Sequence, residues 1–297
     1  MLHKYISPFL ITICFALSLF LLSGCSKNQS ASDSGYIAPD SISFEEYTSL
    51  LFQSEVTSDT LTLHYTLSQP EVYGITDYKI ALPDYSADAR KQSALNIENI
   101  SCGLQSYDYE VLTTEQKLTY DILNDYVSSN RSQSDYTYYP EILRPSTGFP
   151  AQLPVLLSEY HFYDRKDVED YLTLLSLIPS CFDSVLDYET NKINEGLFLS
   201  DTQADTLIAD LNTFCDNSSE HYLITTFRNK VAELPGLTAE EQASYCIENE
   251  GAFREYVLPA YEALRDFLVE HKGSGSNSAG LCYFPDGSDY YAALVYD

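Results

Sequence analysis

The stretch from Arg165 to Gly196, RKDVEDYLTLLSLIPSCFDSVLDYETNKINEG, carries Val168, Leu172, Leu175, Ile178, Phe182, Val185 and Leu186 on one stripe at helical spacing. Side chains with that period share one face of a helix and would scatter over both faces of a sheet. Asp164 stands where an N-cap is needed, with Asp167 at the third helical position, and Gly196 supplies a stop. Pro179 lies inside the pattern. Lacking an N–H and crowding the preceding turn, it is expected to kink the helix or split it in two.

The same period recurs along the chain. Ser43 stands three residues before Glu46, a capping-box spacing, and Phe44, Tyr47, Leu50 and Leu51 follow on one face. Residues 87–101 read as a second helix. TTEQKLTYDILNDYV reads as a third, behind a Thr cap, with Leu118, Ile122, Leu123 and Tyr126 on its apolar side. Helices over 200–216 and 221–234 come next, and helical spacing then runs from 238 to 273, interrupted at Gly251 and Pro259. Strand signals are few: LTLHYTL alternates partly and SDYTYYPEIL is aromatic, but neither has a hairpin partner across a short turn. The expected fold is mainly α, with long kinked helices forming a helical bundle-like domain and few or no strands. No repeat of fixed period suggests a solenoid.

The N-terminus has a different character. MLHKYISPFLITICFALSLFLLSGC has one early Lys, then an apolar run from Phe9 to Leu22, then small residues before Cys25. The run is shorter than the roughly twenty residues that span a bilayer, and its three-part layout is that of a secretory signal. Leu22-Ser23-Gly24-Cys25 resembles the bacterial lipobox, in which the Cys thiol takes the lipid and becomes the first residue after cleavage. An ordinary signal peptide with an incidental Cys is the alternative. The expected organisation is a lipoprotein signal peptide over 1–24, a flexible Ser- and Asn-rich tether over 25–40, and a helical domain over 41–297. A lipid on Cys25 would hold that domain at the cell membrane, outside the cytoplasm.

Charge narrows the partners. A formal net charge of −28 in 297 residues disfavours nucleic acid and electrostatic docking on anionic lipid. The chain also has 26 Tyr and no Trp, so its aromatic surface is made of rings with polar tips. Beyond Cys14 and Cys25, the five cysteines at 102, 181, 215, 246 and 282 stand at wide, irregular spacings and contain no CxxC pair. They read as small buried hydrophobes with room for one disulfide.

Motifs that carry chemistry are scarce. HExxH, GxSxG, GxGxxG and the P-loop pattern are absent, and no His has a second His three or four residues away. No metal site is expected in this chain, and no catalytic residue is assigned. His64 and His221 read as helix-end or turn histidines bonded to backbone, and His271 as a positive partner for a helix C-terminus. The segment Glu159, Tyr160, His161, Phe162, Tyr163, Asp164 crowds acidic, aromatic and imidazole groups together. Glu159, Tyr160, His161 and Tyr163 could line a pocket. Asp164 is equally a simple cap.

The sequence closes on AGLCYFPDGSDYYAALVYD. PDG marks a turn, and Asp286 or Ser288 could cap a helix starting at Asp289 with Tyr290, Tyr291, Leu294 and Val295 on it. Chain ends usually fray in polar residues. This one reads as the opening of a helix that would pack against further chain.

Several segments taken together, FEEYTSLLFQSEVTSDTLTLHYTLSQPEVYGI, LPVLLSEYHFYDRKDVEDYLTLLSLIPSCFDSVLDYE, GLFLSDTQADTLIADL and GLCYFPDGSDYYAALV, resemble the bacterial family called domain of unknown function 885. The resemblance runs from about Ile42 to the last residue. It implies a mostly helical fold of about twice this length, akin to helical zinc peptidases. The metal-binding segment suspected in that family, a His-Glu motif followed by Pro-Gly-His, lies in its second half and is missing here. The resemblance therefore implies the N-terminal half of a metallopeptidase-like lipoprotein, inactive alone, with zinc a property of a longer relative. The alternative is a complete lipoprotein that binds a peptide or a sugar without catalysis.

Overall fold

The computed structural model describes residues 42–216, 220–275 and 280–296. Cys25, the signal peptide and the tether lie outside the described residues. Every regular element among those residues is helical, as the mainly α expectation required. The chain divides into two compact units, one taking residues up to 79 with 83–121, the other taking 80–82 with everything from 122 onward.

In the first unit, α1 (Phe44–Val56) starts where Ser43 Oγ accepts the Glu46 N–H at 3.1 Å. Its Tyr47 hydroxyl donates to the Ile100 carbonyl at 3.2 Å. The two helices approach closely because α3 (Ala87–Gln105) has Gly103 there. A Cβ at that position would come within 2.1 Å of the Tyr47 hydroxyl. The partly alternating LTLHYTL forms α2 (Thr60–Thr66), a helix. The reason is local: Asp59 Oδ1 accepts the Thr62 N–H at 3.0 Å, and a cap outweighs a two-residue pattern only three repeats long. Leu63 and Leu67 then join Val56 and Ile75 in a small apolar cluster.

The helix α4 (Thr114–Gln133) contains the division at residues 121 and 122. Thr113 and Gln116 cap it reciprocally, Thr113 Oγ1 accepting from the Gln116 N–H and Gln116 Oε1 from the Thr113 N–H. The apolar side anticipated for it is a correction. Leu118 is 62% and Ile122 49% exposed, and burial in α4 falls on Val127 and Ser129 instead. Periodicity identifies an apolar face but does not say that anything covers it.

The second unit is built around α6 (Arg165–Asn194), which meets α5 (Phe149–Glu159) through Phe182 and Phe149 and α8 (Tyr222–Glu233) through Tyr171 and Phe227. In the chain, α7 (Asp201–Asp216) lies between α6 and α8. Asp164 accepts from the Lys166 and Asp167 N–H groups while Asp167 Oδ2 accepts from the Asp164 N–H at 3.2 Å, a complete capping box. Pro179 does not split the helix, contrary to one of the two outcomes anticipated. Leu174, Leu175 and Ile178 before it and Phe182 and Val185 after it are all buried, so packing holds the helix on both sides of the missing hydrogen bond. Phe182 meets Phe149 at 5.8 Å and Tyr261 at 4.8 Å, and the buried Tyr261 hydroxyl donates to the Pro150 carbonyl at 2.9 Å.

The long segment after Thr238 runs as α9 (Ala239–Ala252), a π turn (Phe253–Val257) and α10 (Leu258–His271) without an irregular break. Gly251 does not interrupt it. The π turn sits just before Pro259, where the Leu258 N–H reaches back to the Phe253 carbonyl. Widening the turn makes room for a ring that would otherwise press on a carbonyl one turn earlier. α10 packs against α7 and α6, and α9 against α8.

The closing helix, α11 (Gly287–Tyr296), starts two residues earlier than its turn signal suggests. Asp286 holds a left-handed φ of 52°, and a Cβ on Gly287 would lie 1.9 Å from the Leu281 carbonyl oxygen. One face of α11 is packed: Tyr290 is buried against the rings of Tyr136 and Tyr139, at 5.2 and 5.1 Å. Tyr291, Val295 and Tyr296 are exposed.

Candidate functional site

The segment from Glu159 to Tyr163 leaves α5 and enters α6, and the structure divides it. Tyr160 is 1% exposed, its ring set against Phe162 and Tyr171 at 6.0 and 5.6 Å. Its carbonyl accepts from Lys230 Nζ at 2.9 Å. Glu159, His161 and Tyr163 are exposed, and the His161 and Tyr163 rings meet edge to face at 4.3 Å. The Tyr163 N–H donates to Asp167 Oδ2, so the capping of α6 fixes this corner. Tyr160 thus belongs to the core, while the other three form a small surface cluster.

A cavity of about 410 Å³ lies elsewhere in the same unit, lined by Asp210, Thr213 and Phe214 of α7 and by Glu220, His221 and Tyr222 at the start of α8. His221 is the N-cap of α8, accepting the Leu223 N–H on Nδ1 at 3.3 Å. It is therefore a helix-end histidine bonded to backbone, as its position in the sequence suggested. Its ring is 2% exposed, stacked on Phe253 at 4.6 Å and edge-on to Phe214 at 4.5 Å. Burial among these rings pushes its pKa down to about 4, so the imidazole is neutral at pH 7. Because Nδ1 accepts, the single proton sits on Nε2, and that buried N–H has no hydrogen-bond partner.

A second buried polar group was not anticipated from the sequence. Glu189 on α6 is fully buried, and neither carboxylate oxygen has a hydrogen-bond partner. One turn on, the equally buried Lys192 pairs with Glu141 at 2.7 Å. Burial raises the Glu189 pKa to about 7 against the opposing pull of Lys192. The signal was present in the helical stripe: positions 185, 188, 189 and 192 share a face, and two of them are charged.

Among the described residues, no three His, Cys, Asp or Glu side chains come together as a metal-ligand set. The donor set of a catalytic zinc, about three ligands with an open position, does not fit the residues at either place described above. None of the described helices is long and apolar enough to cross a membrane.

Residues 70–297 match the family described as "Bacterial protein of unknown function (DUF885)". The chain belongs to this family. No curated protein matches this DUF885 chain. A solved structure that it resembles is that of a protein from Colwellia psychrerythraea described as a "putative lipoprotein", at a TM-score of 0.71 and 17% identity. The match covers 85% of the DUF885 chain and 44% of the Colwellia protein, so the chain spans less than half the length of that relative. At this identity the likeness establishes a shared helical fold.

Proposed function

We propose that this DUF885 protein is an extracytoplasmic lipoprotein, held at the cell membrane by lipid on Cys25. Its helical body then corresponds to the N-terminal half of a metallopeptidase-like hydrolase whose catalytic residues lie in the other half. The observation that carries the anchor is the sequence LSGC at residues 22–25, directly after the apolar run from Phe9 to Leu22. A relative described as a lipoprotein supports it. Metabolic labelling with palmitate, followed by membrane fractionation, tests the anchor: Cys25→Ser should lose both the label and the membrane association. A labelled and membrane-bound Cys25→Ser protein would refute it.

The half-protein reading is supported by the 44% coverage of the Colwellia relative and by the apolar residues Tyr291, Val295 and Tyr296 left uncovered on α11. On this reading the chain alone neither holds zinc nor cleaves peptides. Zinc content and hydrolysis of a mixed peptide substrate, measured on the purified chain, test it. Stoichiometric zinc together with turnover would overturn it.

A second reading, a lipoprotein that captures a peptide or a sugar without catalysis, is favoured by the exposed cluster of Glu159, His161 and Tyr163. Alanine at both His161 and Tyr163 should abolish ligand capture at that surface while leaving the melting temperature within about 2 °C, because neither ring is in the core.

A further inference from the structure

We propose that the cavity between α7 and the start of α8 binds an alkylammonium group with a neighbouring acceptor oxygen. That chemistry is shared by the amino terminus of a peptide and by an amino sugar. The site goes beyond the function proposed above and depends on neither the lipid anchor nor hydrolysis.

The argument begins at His221. Its Nδ1 is committed to the Leu223 N–H, so the ring cannot turn over without uncapping α8. Nε2 consequently presents a proton, and a buried donor with no acceptor is a group that native proteins rarely leave unmatched. An oxygen acceptor would complete it. A metal ion would not, because the Nε2 lone pair is already used by the proton.

The remaining lining residues specify the rest of the ligand. Asp210 and Glu220 are exposed, and neither has an ion-pair partner among the described residues. In a chain with a net charge of −28, two unneutralised carboxylates repel an anion and attract a cation. Tyr222 adds an exposed aromatic ring, a surface on which an ammonium and its carbon skeleton both settle well, while Phe214, stacked on Tyr261 at 4.0 Å, is part of the wall. The volume of about 410 Å³ suits a single residue or a single sugar ring. A neutral sugar would satisfy the His221 donor but leave the two carboxylates without a counter-charge.

Calorimetric titration of the full chain with four probes tests the site: tetra-alanine amide, its N-acetyl form, glucosamine and N-acetylglucosamine. At least one free amine should bind, and acetylating that same probe should weaken binding about tenfold or more. Which amine binds tells the peptide source from the sugar source. The double substitution Asp210→Asn with Glu220→Gln changes only exposed side chains and should cost the amine a similar factor. His221→Asn retains a capping oxygen but lacks the ring N–H, and should weaken the amine as well. Three results would each overturn the proposal. They are equal binding of free and acetylated probes, an affinity unmoved in the double variant, and no binding by any probe up to about 10 mM. Should His221→Asn fail to fold, the acetylation series and the double variant still decide.

Discussion

Replacing Glu189 by Gln probes the least comfortable group in the second unit. The carboxylate is fully buried, its oxygens are unpartnered, and its pKa stands at about 7 against an ordinary 4.5. The folded pKa lies above the unfolded one, so the native state holds this proton more tightly than the unfolded chain does. The stability that follows is complete below pH 4.5 and is lost as the pH rises through 7. A displacement of that size corresponds to about 3 kcal/mol between the two limits. The amide of Glu189→Gln cannot ionise. Whatever constant difference the substitution introduces, it should gain about 3 kcal/mol on the wild type between pH 4.5 and pH 8.5. Urea unfolding followed by circular dichroism at a series of pH values measures this directly. The general acidity of the chain acts on both proteins alike and cancels in the difference. Lys192→Met sharpens the test, because removing the cation that lowers the Glu189 pKa should move the transition to higher pH. A stability difference that stays flat from pH 4.5 to 8.5 would refute the reasoning, and would mean that Glu189 finds a partner in solution.

Three further expectations follow from close contacts and caps. Gly103→Ala should destabilise the first unit by about 1–3 kcal/mol, seen as a lower urea midpoint, because its Cβ meets the Tyr47 hydroxyl that bonds to Ile100. Gly287→Ala should unseat α11, seen as faster amide exchange over residues 287–296 with exchange in α6 unchanged, since its Cβ collides with the Leu281 carbonyl. His221→Ala should cost about 1 kcal/mol for the cap of α8 plus a packing loss against Phe214 and Phe253, and His221→Asn should restore the cap portion.

Sequence reading went furthest where local chemistry decides the outcome. Caps at Ser43, Thr113 and Asp164 mark helix starts in the sequence and bond as expected in the structure. The stripe of α6 was legible because seven apolar residues agree on one direction. It stopped being reliable where burial depends on a distant partner. Leu118 and Ile122 have the right period and no cover, while Val127 and Ser129 on the same helix are buried. The polar groups of greatest interest, Glu189 and the Nε2–H of His221, are unusual because of the rings and helices brought around them. For Glu189 the stripe of α6 holds a hint, two charged residues among positions 185, 188, 189 and 192; the sequence around His221 holds none. The 159–163 segment drew notice for its composition, yet its Tyr160 serves the core, and the cavity is lined by residues of α7 and the head of α8.

The π turn before Pro259 has a consequence for the register of everything that follows it. Tyr245, Asn249, Phe253, Val257 and Tyr261 are all buried and fall at steps of four. In a regular α-helix each such step advances about 40° around the axis, so five residues in that series would wind away from a common neighbour. One wide turn takes up part of that drift and lets a single line of side chains continue from α9 into α10. Removing one residue between 253 and 257 would rotate the whole of α10 by about 100°, carrying Tyr261 away from Phe182 and Pro150. The extra residue behaves as a phase plate inserted into a rod: it adds almost nothing to the length and sets the direction in which the second half points.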